Sequence, residues 1–105
     1  MNKSSAFEVE VQRLLKERIA QIQRLSSAEV SVLPEAAGTE VFVCGHRCQL
    51  TVFVQSVTAG TLVVVQLARR AMAGLVTFHQ ERGVVFAPDG SVRHAAEHEL
   101  LVTGG

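Results

Sequence analysis

The chain predicts an α+β domain in which an amphipathic N-terminal helix packs on a curved, mostly antiparallel sheet of four to six strands, with a short helix at the C-terminal end. Two observations carry this. Apolar residues return at helical spacing over the first quarter of the sequence, and β-branched runs broken by turn residues follow as far as about residue 93. The length, 105 residues, fits one domain spanning 1–105, with frayed ends at 1–4 and 102–105.

Ser5-Ala6-Phe7-Glu8 has the spacing of a capping box, in which a hydroxyl and a carboxylate three residues on exchange bonds with backbone N–H groups. Phe7, Val11, Leu14, Leu15, Ile19, Ile22 and Leu25 then share one side at 100° per residue, predicting a helix over 5–26. Pro34 forbids continuation. From Ala28 the pattern reads as strands: Val30 and Val32 alternate with Glu29 and Ser31, and Pro34–Thr39 forms a loop before Glu40–Cys44. Gly45-His46-Arg47 is a three-residue turn into Cys48–Val57, and Thr58-Ala59-Gly60 turns into Thr61–Ala68. Residues 66–74 fit a short helix or a strand running into a loop, with strand to Ala68 preferred. Glu81-Arg82-Gly83 joins strand 75–80 to strand 84–87, and Pro88-Asp89-Gly90 is a turn. His94–Leu101 ends the domain as a helix.

A three-residue turn sets Cys44 opposite Cys48 and Phe42 opposite Leu50 on one side of the sheet. Val41, Val43, Phe53 and Val57 then occupy the other side, which one helix cannot also cover. A second subunit, a partner protein or the domain's own C-terminal part would have to cover it. These four residues are the candidate partner interface.

Other candidates are chemical. Cys44-Gly45-His46-Arg47-Cys48 offers thiolates and an imidazole to zinc, with His98 among the histidines able to complete a set; two small thiols flanking a turn explain the same residues. His94-Ala95-Ala96-Glu97-His98 resembles the H-x-x-E-H signature of inverted zinc proteases over five residues, and a short solvated helix accounts for it without metal. Arg18 falls within the apolar stripe, so it must pair, reach out along its stem, or face an anionic ligand or a partner. Gln55-Ser56-Val57-Thr58-Ala59-Gly60 resembles the Q-x-V-x-G loop of cystatins with one extra residue before its glycine, and the resemblance implies no more than a helix before a meandering sheet.

Ten basic residues balance ten acidic ones, and there is no Trp or Tyr. That composition lacks both the cationic surplus and the stacking surfaces of nucleic-acid binding. No apolar run is long enough to cross a bilayer, the first residues do not read as a secretory signal, and two cysteines suit a reducing cytoplasm. No nucleophile elbow, phosphate loop or dinucleotide fingerprint is present to name a reaction. The expectation is a cytoplasmic, noncatalytic interaction module, a homodimer or an adaptor for another protein. The alternatives are a metal or small-ligand module at Cys44, His46 and Cys48, or a small enzyme with Arg18 holding an anion.

Overall fold

A computed structural model describes the backbone of residues 3–70 and 76–100. Helix α1 (Lys3–Gln23) and a short α2 (Ser27–Ser31) precede five strands: β1 (Ala36–Val43), β2 (His46–Val57), β3 (Gly60–Arg70), β4 (Val76–Phe86) and β5 (Val92–His94). A single turn, α3 (Glu97–Leu100), follows. The strands form one antiparallel meander in the order β1-β2-β3-β4-β5. This is the expected α+β architecture.

Alternation along the strands sorts the core into two layers. Under α1, Val11, Leu15, Ile19 and Ile22 meet Leu50 of β2, Val63, Val65 and Leu67 of β3, and Val84 of β4. Phe7 anchors the N-terminal part of the helix against Phe78, the ring centroids 4.9 Å apart and nearly perpendicular. On the opposite face Leu62, Val64 and Val85 form a smaller cluster, with Phe53, Val57, Ala95 and Leu100 packed on it. The backbone leading into α3, and α3 itself, thus cover the centre of the second face. The Ala95 N–H donates to the Gly83 carbonyl (2.8 Å), and Arg93 reaches both carboxylate oxygens of Glu99 at 2.8 and 2.9 Å.

Four local expectations are corrected. A capping box forms at Ser26 and Glu29: the Ser26 hydroxyl accepts from the Glu29 N–H (3.1 Å), and the Glu29 carboxylate accepts from the Ser26 N–H (2.9 Å). Ser5 lies within α1, which begins at Lys3. Residues 27–31 are therefore helical rather than a strand, and Val30 turns inward to the main core. Glu81-Arg82-Gly83 is not a turn but the middle of a continuous β4, paired with Gln66, Val65 and Val64. Gly83 serves close approach instead. A Cβ there would lie 2.7 Å from Leu100 Cδ2, 3.2 Å from the Val63 carbonyl oxygen and 3.3 Å from Ala95 Cβ. Finally, His94 belongs to β5, and helix resumes only at Glu97. Strand β3 continues to Arg70; residues 71–74, the tail at 102–105 and the first two residues lie outside the described residues.

Candidate functional site

The β1–β2 hairpin decides where most of the candidate residues point. Val43 pairs with His46, leaving Cys44 and Gly45 as a two-residue turn with φ values of 49° and 80°. Positive φ at both positions is the type I′ geometry, whose twist matches that of the flanking strands. Cys44 therefore does not face Cys48; Val41 does. Because side chains alternate, this odd shift in register exchanges faces. Val41 and Val43 belong to the helix-covered layer, with Val43 completely buried, while Phe42 joins Phe53 and Val57 on the second face. The expected patch of Val41, Val43, Phe53 and Val57 is split between two faces, and its Phe53–Val57 half packs against the covered second cluster.

The sulfur and imidazole groups are likewise dispersed. Cys44 is exposed at the turn, whereas Cys48 is buried beneath the helix. Its thiol donates to the His46 carbonyl oxygen at 3.6 Å. Desolvation pushes the Cys48 pKa up, opposed by the nearby Arg69 charge. The His46 ring sits edge-on to Phe7, 5.7 Å between centroids. Among the described residues no group of three or more His, Cys, Asp or Glu is placed to hold a metal ion. The His98 side chain lies outside the described residues. His94, in a strand, shares no helix face with position 98.

Arg18 is exposed and forms no hydrogen bond or ion pair among the described residues. It stands at the rim of a half-open apolar groove lined by Ile22, Leu25, Leu33, Pro34, Ala37 and Val52. The groove exists because α1 lies over the β3–β4 side of the sheet and leaves β1 thinly covered. On β1, Ala37 and Thr39 face the helix side yet are exposed. Leu14 and Leu25, on the β1 flank of the helix, are only partly buried. The opposite flank is closed by polar contacts. Gln12 donates to Gln80, and its carbonyl oxygen accepts from Arg82 Nε and Nη2 at 3.1 and 2.8 Å.

The outer edge of β1 completes the picture. The Val54 N–H donates to the Glu35 carbonyl (2.9 Å), which fixes the hydrogen-bonding parity of the hairpin. Positions 35, 37, 39, 41 and 43 bond to β2, and the N–H and C=O groups of Ala36, Gly38, Glu40 and Phe42 project outward from the sheet. Edge strands in soluble proteins are commonly blunted by Lys, Pro, bulges or brevity. The run Ala36-Ala37-Gly38-Thr39-Glu40-Val41-Phe42-Val43 has no Lys or Pro, pairs with β2 without a bulge, and carries Phe42 at 64% exposure. At the opposite margin β5 is only three residues long, covers Val84–Phe86 of β4 and leads into α3, so residues 76–82 of β4 have no neighbouring strand among the described residues.

Compared with known protein families, curated proteins and solved structures, the chain matches none. Its candidate site thus rests on its own geometry. Sequence reasoning missed the β1 edge because it placed Pro34–Thr39 in a loop, shortening the strand. The local signal is Gly45, which suits the second position of a type I′ turn, and no turn residue marks the extension of β1 back to Ala36. No helix among the described residues is long and apolar enough to cross a membrane.

Proposed function

We propose that this chain is a noncatalytic interaction module whose contact element is the outer edge of β1. One observation carries the reading: a full-length strand presents main-chain groups with no partner among the described residues, beside an apolar groove that its own helix leaves half open. A strand added there gains main-chain hydrogen bonds from the edge. Its helix-side residues would enter the groove beside Leu25, and Arg18 at the rim would meet a polar or acidic group. The contact surface differs from the second sheet face expected from sequence, because Ala95 and Leu100 pack over the centre of that face.

The test uses the direction of the edge groups. Glu40→Pro removes an N–H that points away from β2, so the β1–β2 ladder keeps its bonds while an incoming strand meets a gap. A photo-crosslinking residue at position 42 is expected to give a discrete adduct in cells producing the protein. The adduct should vanish in Glu40→Pro and be absent when the label sits at exposed Val32. Equal adducts from positions 42 and 32, or an adduct indifferent to Glu40→Pro, would refute the assignment.

A further inference from the structure

We infer that the occupant of the β1 edge is β1 of a second copy, paired antiparallel about a two-fold axis through Thr39. The inference rests on the proposed role of this edge and adds a partner and a register.

Two such edges meet through their outward groups, so residues of even number must pair with residues of even number. Within that restriction the strand selects one full-length register. Centring the axis on Glu40 sets two carboxylates directly opposite each other, a destabilising arrangement. Centring it on Gly38 brings Phe42 opposite Pro34, which has no N–H to give. Centring it on Thr39 avoids both. Ala36 then faces Phe42 and Gly38 faces Glu40 on one side of the sheet, while Ala37 faces Val41 and Thr39 faces its own copy on the other. Small residues occupy the first half of the strand and larger ones the second, so each large side chain meets a small one across the axis. Phe42, exposed in the single chain, gains a flat neighbour in Ala36. The Thr39 pair, in the close non-hydrogen-bonded position, can join through its hydroxyls. On the helix side the two exposed β1 strands lie side by side and continue the sheet beyond the flank of either helix. The contact is isologous: the same strand is donor and acceptor in both copies.

The closing experiment reads oligomeric state and register together. Sedimentation across the micromolar range is expected to show a mass twice the 11.3 kDa of one chain, falling to a single chain in Glu40→Pro with unchanged circular dichroism. In a Cys44→Asn, Cys48→Val background, which removes the thiol facing position 41 in the same chain, Thr39→Cys should oxidise to an interchain disulfide, since close non-hydrogen-bonded pairs bring Cβ atoms within bridging range. Ala37→Cys and Val41→Cys should each fail to link alone and should link when mixed. A dimer lost in Glu40→Pro but not bridged at Thr39 would overturn the register. A wild-type chain that stays single at every concentration would overturn the second copy as occupant. The proposed role of the edge would still stand if position 42 cross-links, in a Glu40→Pro-sensitive way, to a protein of other mass, and would fall if it cross-links to none.

Discussion

Phe7 meets three kinds of group at once: the Phe78 ring, the His46 edge and the Arg69 guanidinium, 5.6 Å from its centroid. It is 6% exposed and ties the helix to β2, β3 and β4 together. Phe7→Ala should therefore lower unfolding free energy by about 3–5 kcal/mol, the usual range for a buried aromatic, read from urea denaturation. Glu29 acts at the surface and through protonation. Its bonds to the Ser26 backbone and hydroxyl hold its pKa below the ordinary 4.5, so its contribution is whole above that value. As pH falls below 4.5 the unfolded chain takes up the proton first, and the stabilisation fades until the folded carboxyl is protonated too. A carboxyl titration followed by NMR should place the Glu29 midpoint below 4.5, and Ser26→Ala should return it toward that value.

At the scale of elements, two short motifs show how far local sequence reaches. Ser-x-x-Glu occurs at 5–8 and at 26–29, and both copies have the spacing of a cap. Only the second starts a helix, because the first falls inside one that begins earlier. Local spacing recognises the device but does not choose between copies. Gly83 is the reverse case, a glycine whose reason is tertiary. Beside Glu81 and Arg82 it reads as a turn, yet it is held in β4 by pairing to Val64 and left bare so that Ala95 and α3 can lie on it. Gly83→Ala is expected to cost about 1–3 kcal/mol, as overpacking commonly does. The loss should concentrate in the C-terminal cover, so the Ala95 amide should exchange with solvent faster while amides in the middle of β2 and β3 change little.

For the whole molecule, the helix and the meander were legible because periodicities of 3.6 and 2 are direct consequences of burying one stripe or one face. The candidate site was not, because a turn of two residues in place of the expected three changed which side chains shared a face. Val41 and Val43 moved from an imagined contact surface into the core on that difference alone. The second face, expected to need a cover, has one at its centre in the chain's own Ala95 and Leu100. It is on the first face that cover runs short, where α1 lies over β3 and β4 and leaves β1 exposed. Arg18 illustrates the point: helical geometry set it among apolar neighbours, and its place at the rim of the groove leaves it in solvent.

The inequality of the two sheet margins has a consequence for assembly. A protein with two open margins can polymerise without limit, each added subunit presenting a fresh template. Joining at β1 about a two-fold axis uses up that template in both copies at once, while β5 pairs with only Val84–Phe86 and leaves residues 76–82 of β4 without a neighbouring strand among the described residues. Growth through β1 alone stops at the pair, and any further addition would need the 76–82 margin of β4.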